Sequence, residues 1–285
     1  MLDTSINNTL MNNNLFNIAD ALPDNNGSDY RIESDFIIYS EAKTAFDSLP
    51  PVIQTSLMQR QRIVCIANNP SIDTSNLDAL LEPTDLLVLF NHFIHAEYFA
   101  THPVISQLPK LLFFRQIGDS NLHFGLPPRS NNVSSIYEMS KRAPLGILLS
   151  NQPYQFPHPN DDLTAHDDPV TANRTLTIPD ALVDLLHDNN QCGVLSEHHP
   201  VVADYPHFSN IHSSASSSGF LLYRLLLAAR IHVQRLQNSA SPLKMVMIGF
   251  NDESKTEHFW SGHNWTFERQ EMAKAPAGVQ IIRQY

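Results

Sequence analysis

Two short apolar runs, separated by a helical pattern, constrain the fold of this chain more than any other feature. Residues 63–67 and 86–90 are continuous apolar runs, which is typical of strands buried on both faces of a parallel sheet. Between them, a polar turn precedes three leucines at helical spacing, Leu77, Leu80 and Leu81. A strand, a helix and a second strand in this order predict a β-α-β unit.

Further apolar runs extend this unit into an α/β fold, a Rossmann-like, mostly parallel sheet with helices on both faces. Residues 111–114, 146–149 and 246–248 have the length and composition of buried strands, and residues 220–236 predict a long buried helix. A chain of 285 residues is long enough for one large α/β domain with its own core.

The domain boundaries are predicted from changes in composition. Residues 1–30 are rich in asparagine and carry little apolar periodicity, so we expect a flexible or loosely docked N-terminal extension. Residues 31–285 are predicted to form a single α/β domain, with a polar insertion around residues 119–212.

Composition excludes several classes of protein. A net charge of -11 without any block of Lys and Arg argues against binding of nucleic acid. The nine glycines form neither a Gly-x-Gly-x-x-Gly turn, nor a phosphate-binding Gly-x-x-x-x-Gly-Lys loop, nor a Gly-x-Ser-x-Gly elbow. The two cysteines, and the lack of a signal-peptide pattern or a membrane-spanning apolar run, predict a cytoplasmic protein with no transmembrane segment.

A ligand site is predicted at the ends of the strands. Asn68, Asn91 and Arg115 follow the first three strands, and Gly249 and Asn251 follow the strand at 246–248. Ligands of open parallel sheets bind just outside the carboxyl ends of the strands. An asparagine side chain offers a donor and an acceptor there, which suits sugar hydroxyls, ribose or a phosphate. The alternative is that Asn68 and Asn91 only cap helices.

A second polar turn opens the long helix. Ser217, Ser218 and Gly219 stand directly before residues 220–236. Backbone N–H groups, hydroxyls and the positive end of a helix favour an anion at such a turn. The alternative is a simple N-cap by one of the two serines.

His263 is the candidate general base. It lies beyond a strand end and before a predicted helix at 265–273, where an imidazole can take a proton near neutral pH. A nucleophilic Ser218–His263 pair is an open alternative. The other histidines and the aspartates near them match no standard zinc spacing, so we predict no metal and no other cofactor.

Five short motifs occur in a fixed order along the chain. They are Asn-x-Pro-Ser, Asn-x-Phe, Ser-Ser-Gly, Gly-x-Asn and Gly-His, at residues 68–71, 91–93, 217–219, 249–251 and 262–263. Together they resemble the bacterial CMP-sialic acid-dependent sialyltransferases that decorate lipooligosaccharide. The resemblance covers roughly residues 62–118 and 213–272. A related transferase that uses CMP-Kdo has similar requirements, because that donor also carries a cytidine monophosphate and an anomeric carboxylate.

The resemblance implies a GT-A-like variant of the α/β fold with a small lid around residues 251–262. It also implies a nucleotide that lies across Asn68 and Asn91, a sugar carboxylate at the 217–219 turn, and His263 as the base. The predicted donor-binding set is Asn68, Asn69, Ser71, Asn91, Arg115, Ser217, Ser218, Gly219, Gly249 and Asn251. The family's lid tyrosines are missing here, so Lys255, His258 and Trp260 become the lid candidates. Asn69 stands where the family usually has glycine.

These observations predict an inverting, metal-independent glycosyltransferase that moves sialic acid or Kdo from its CMP donor to a glycan or lipid-linked oligosaccharide. Such an enzyme would meet the inner face of the membrane through its acceptor, and the sequence leaves room for a homo-oligomer. The alternatives are a non-catalytic protein that binds sugar nucleotides or glycans, and a hydrolase that uses Ser218 and His263.

Overall fold

A computed structural model describes most of the predicted α/β domain. The described residues are 41–91, 93–114, 116–117, 121–122, 130–149, 180–196, 199–206, 216–250 and 263–283. The predicted N-terminal extension at 1–30 and the predicted lid at 251–262 lie outside these ranges. So do five candidate site residues, Arg115, Asn251, Lys255, His258 and Trp260.

Within the described residues, seven parallel strands form one sheet. Its order is β7-β6-β3-β2-β1-β8-β9, and the short strands β4 and β5 form a separate antiparallel pair. The strands are β1 Arg62–Ile66, β2 Asp85–Phe90, β3 Lys110–Phe114, β4 Gln116–Ile117, β5 Asn121–Leu122, β6 Leu145–Leu149, β7 Cys192–Val194, β8 Lys244–Ile248 and β9 Val279–Ile282. The predicted parallel α/β architecture is therefore confirmed. Two of the seven strands, β6 and β7, lie within the region 119–212 that the sequence marks as polar.

Helices connect most of these strands. Residues 41–47 are helical (α1). The other helices of the described residues are α2 Pro51–Leu57, α3 Thr74–Leu80, α4 Ala96–Thr101, α5 Ser130–Arg142, α6 Asp180–His187, α7 Ser218–Leu236 and α8 Trp265–Ala273, with short 3₁₀ turns at Ile105–Gln107 and Pro200–Val202. The long helix α7 is buried over most of its length, as its apolar composition predicts.

Alternate residues of each central strand face two separate cores. In β1, Ile63 and Cys65 belong to the core that includes α2 and α7, whereas Val64 and Ile66 belong to the core that includes α3, α4 and α5. Successive side chains of a strand point to opposite faces, so a strand that is covered on both sides must be apolar throughout. This burial explains why the strands are visible in the sequence as continuous apolar runs.

The order in which strands are added to the sheet reverses at β1. From β1 the chain moves through β2, β3, β6 and β7 on one side, and β8 and β9 are added on the other side of β1. The loops that leave β1 and β8 therefore diverge, which opens a crevice outside the carboxyl ends of these two strands. This crevice is the natural place for a ligand in an open parallel sheet.

An ion pair joins β1 and β2 at their amino-terminal ends, opposite the crevice. Arg62 and Asp85 are paired in the β1–β2 register. Arg62 donates from Nε to Oδ1 of Asp85 at 2.7 Å and from Nη2 to Oδ2 at 2.8 Å. Asp85 is fully buried and also accepts the backbone N–H of Glu82. The pair thus joins the first two strands to the loop between them.

We expect Asp85→Asn to lower the free energy of unfolding by about 3 kcal/mol, because the substitution removes the buried carboxylate of the pair and leaves Arg62 only the exposed carboxylate of Glu82. Urea denaturation measures the change. The matched control is Glu138→Gln, which breaks an exposed pair with Lys141 in α5 and should leave stability unchanged. Equal stability of the Asp85 variant and the wild type would contradict this role.

Candidate functional site

The crevice gathers predicted site residues from distant parts of the chain. Asn69 donates from Nδ2 to the carbonyl oxygen of Gly249 at 3.1 Å, and Asn91 donates from Nδ2 to Oγ of Ser218 at 3.4 Å. The partners are 180 and 127 residues apart in sequence. The ends of β1, β2 and β8 and the start of α7 therefore meet at one place.

The two asparagines after β1 hold the loop in place. Asn68 donates from Nδ2 to the carbonyl oxygen of Phe90, at the end of β2, at 2.7 Å. Oδ1 of Asn69 accepts the backbone N–H of Ser71 at 3.0 Å and its hydroxyl at 2.7 Å. Asn69 and Ser71 are thus bonded to each other and, through Gly249, to β8. These contacts leave Oδ1 of Asn68 as an unused acceptor of the loop.

Asn91 ends β2 in a left-handed turn. Its φ of 47° lies in a region that asparagine tolerates better than most residues. Its N–H donates to the carbonyl oxygen of Phe113 in β3 at 2.7 Å, and its own carbonyl accepts the N–H of Phe93 at 3.2 Å. The backbone is therefore fixed on both sides, and the side chain is held toward the start of α7.

Two glycines allow the walls of the crevice to approach closely. A Cβ at Gly249, where φ is 79°, would lie 2.6 Å from Cδ1 of Ile72. A Cβ at Gly219 would lie 2.5 Å from Cε1 of Phe250. A side chain at Gly249 would strain the left-handed backbone and push Ile72 aside, and a side chain at Gly219 would force the Phe250 ring to shift. The two glycines thus allow the close packing seen at the site.

The start of α7 already has an anionic partner. Ser217 is the N-cap, and its Oγ accepts the N–H of Phe220 at 3.1 Å. Its hydroxyl donates to Oε2 of Glu268 at 2.6 Å, and its N–H donates to Oε1 of Glu268 at 2.7 Å. Ser217 is therefore a cap and an anchor for Glu268. Within the described part of the chain, this leaves the first N–H groups of the helix, those of Ser218 and Gly219, for a ligand.

Sequence reasoning missed Glu268. It lies in α8 among charged and polar residues, which resemble a solvated helix face, and its partner Ser217 is 51 residues away. The structure buries it, with 4% of its surface exposed. A local signal was absent because the partners described for the carboxylate, Ser217 and Tyr205, lie far from it in sequence.

His263 precedes the N-cap of α8. Its ring makes an edge contact with Trp265 at 5.0 Å between centroids. The next residue, Asn264, caps the helix by accepting the N–H of Phe267 at 3.1 Å, and donates its own N–H to the hydroxyl of Tyr205 at 2.6 Å. That hydroxyl donates to Oε1 of Glu268 at 2.8 Å. A chain of hydrogen bonds thus links the residue after His263 to the Ser217 turn.

A different serine–histidine pair is structural. Oγ of Ser48 lies 3.2 Å from Nε2 of His199. However, Nδ1 of His199 accepts the N–H of Val201, so the ring proton must be on Nε2, and Ser48 donates its own proton to the carbonyl oxygen of Thr44. Burial also lowers the pKa of His199. This histidine cannot take a proton from Ser48, and the pair is no nucleophile.

Comparisons with known proteins identify no family for this chain. No protein-family model, no curated protein and no solved structure matches the chain. Among the residues that the structure describes, no group of three or more His, Cys, Asp and Glu side chains is placed to hold a metal ion. In the same ranges, no helix has both the length and the apolar character to cross a membrane.

We expect Asn69→Ala to lower the free energy of unfolding by about 2 kcal/mol, because it removes three hydrogen bonds and leaves the carbonyl of Gly249 without its donor. Urea denaturation measures this loss. Asn76→Ala, at an exposed position of α3, is the matched control and should be neutral or slightly stabilising. If the two variants are equally stable, the hydrogen bonds of Asn69, which join the loop after β1 to the end of β8, do not stabilise the fold.

Proposed function

We propose that this protein is an inverting, metal-independent glycosyltransferase that moves an acidic sugar, sialic acid or Kdo, from its CMP donor to a hydroxyl of a glycan or lipooligosaccharide. The observation that carries the proposal is the convergence of the motifs. The stretches around residues 68, 91, 218 and 249 are far apart in sequence, yet they meet in the crevice where the strand order reverses. Such a crevice is where α/β folds bind nucleotides.

The donor would lie across the ends of β1 and β2. Oδ1 of Asn68 can accept a hydroxyl of the ribose or an amino group of the base. The carboxylate of the sugar would bind the N–H groups of Ser218 and Gly219 and the hydroxyl of Ser218, at the positive end of α7. Because Ser217 is bonded to Glu268, it would support this turn without touching the donor.

The reaction needs one base and one leaving group. Nδ1 or Nε2 of His263 would take the proton of the acceptor hydroxyl, whose oxygen then attacks the anomeric carbon from the face opposite the phosphate. The bond between the anomeric carbon and the phosphate oxygen breaks, and its electron pair leaves with CMP. The configuration at the anomeric carbon is thereby inverted. Lys255, His258 and Trp260 remain the candidates for supporting the leaving phosphate.

We expect His263→Ala to lower the rate of transfer from CMP-sialic acid or CMP-Kdo by about 100- to 10,000-fold, since a general base contributes about that factor. The assay is run in EDTA with a panel of oligosaccharide acceptors. The variant should still bind CMP, which at 100 times its dissociation constant would stabilise the fold by about 2.7 kcal/mol in a thermal-shift measurement.

The matched control is His187→Ala, which removes an exposed histidine at the end of α6. This residue precedes β7 and thus lies near the amino-terminal ends of the strands, away from the crevice. It should keep the wild-type rate. An unchanged rate for His263→Ala would remove this residue from the mechanism. CMP binding without transfer in the wild type would favour the non-catalytic protein, and release of free sugar at the same rate with and without acceptor would favour the hydrolase.

A further inference from the structure

A buried carboxylate lies between the starts of α7 and α8. Glu268 and Tyr205 are 4% and 7% exposed. Among its contacts with the described residues, Glu268 accepts hydrogen bonds of 2.6 to 2.8 Å, two from Ser217 and one from the Tyr205 hydroxyl. The hydroxyl in turn accepts the N–H of Asn264. Two side chains therefore connect the first residues of one helix to the first residues of the other.

Aromatic rings surround this connection. The ring of Tyr205 lies 5.9 Å from that of Phe220 in α7 and 5.4 Å from that of Phe267 in α8, and these two phenylalanines are 5.8 Å apart. Rings at these distances exclude water and lower the local dielectric constant, which strengthens hydrogen bonds to a charged group. The carboxylate also lies at the positive end of α7, where a negative charge is favoured. The connection is thus short, dry and charge-assisted.

A second polar contact joins the same two helices farther along. Nη2 of Arg224 in α7 donates to Oε2 of Glu271 in α8 and to Oδ2 of Asp204, both at 3.0 Å. Glu271 follows Glu268 by three residues, so both carboxylates lie on one face of α8. With two directional contacts along its inner face, α8 has one orientation relative to α7.

We propose that Glu268 and Tyr205 are positioning residues that fix His263 relative to Ser218 and Gly219. Ser218 follows Ser217, which Glu268 binds directly. His263 precedes Asn264, which Tyr205 binds directly. The inference rests on the proposed function for the roles of His263 and the 218–219 turn, whereas the link between the two helix starts rests on the structure alone. Neither positioning residue needs to touch the substrate.

Tyr205→Phe separates positioning from binding. It removes the hydroxyl that joins the Asn264 N–H to Glu268 but leaves both contacts between Glu268 and Ser217, so α8 stays bonded to the start of α7 while the residues just before α8 lose their tie to Glu268. A displacement of a reacting group by about 1 Å can cost about 100-fold in rate. We expect kcat to fall about 10- to 100-fold, with the KM for the CMP-sugar within about twofold of the wild-type value.

The matched control is Tyr98→Phe, which removes a tyrosine hydroxyl that donates to Asp78 at 2.6 Å, on the face of the sheet opposite α7. It should change neither kcat nor KM. Glu268→Gln keeps an oxygen that can accept from Tyr205 and the Ser217 N–H, so it should retain at least about 10 times the kcat of Glu268→Ala. Equal losses in these two Glu268 variants, or a KM that rises as kcat falls, would overturn the proposal.

Hydrogen exchange tests the link without any reaction. In Tyr205→Phe, the backbone amides of residues 264–268 should exchange at least about 10-fold faster, while those of α7 keep their wild-type rates. Tyr98→Phe should change neither set. Unchanged exchange at residues 264–268 would overturn the positioning role. If exchange behaves as expected but the wild type transfers no sugar, the link stands and the proposed function fails.

Discussion

The pairing of β1 with parallel strands on both of its edges is the constraint on which the rest of the structure depends. Because β1 binds β2 on one side and β8 on the other, the loops that follow these strands must part at the carboxyl edge. Hydrogen bonds from Asn68 to Phe90 and from Asn69 to Gly249 then tie the divided edge together. The position of the crevice follows from the point where the strand order reverses, and its polar lining comes from the asparagines and serine that follow the strands.

The second constraint is the need to satisfy the buried carboxylate of Glu268. A buried charge is tolerated only when hydrogen bonds replace its hydration, and here Ser217 and Tyr205 supply them. The same contacts decide how α8 meets α7. Glu268 therefore holds the start of α7 through Ser217, and in the proposed function the donor would contact Ser218 and Gly219 instead.

The sequence allowed strands β1, β2, β3, β6 and β8 to be predicted, because each of these is a local apolar run, and it offered an N-cap by Ser217 or Ser218 because caps have a local signature. The roles of Asn69 and Ser71 were harder to predict, since the same residue types serve ligands and loops equally well. Glu268 and Tyr205 could not be found, because their partners lie 51 and 59 residues away. A carboxylate in a short polar helix has no local feature that distinguishes burial from exposure.

The most direct test of the central claim is an NMR titration of the asparagine side-chain amides with CMP, assigned by Asn→Asp substitution. We expect the largest changes in chemical shift at Asn68 and Asn91, which border the crevice, and none at Asn76 or Asn190, which are exposed elsewhere on the fold. Changes confined to Asn76 or Asn190, or no change at saturating CMP, would contradict the placement of a nucleotide at this edge of the sheet.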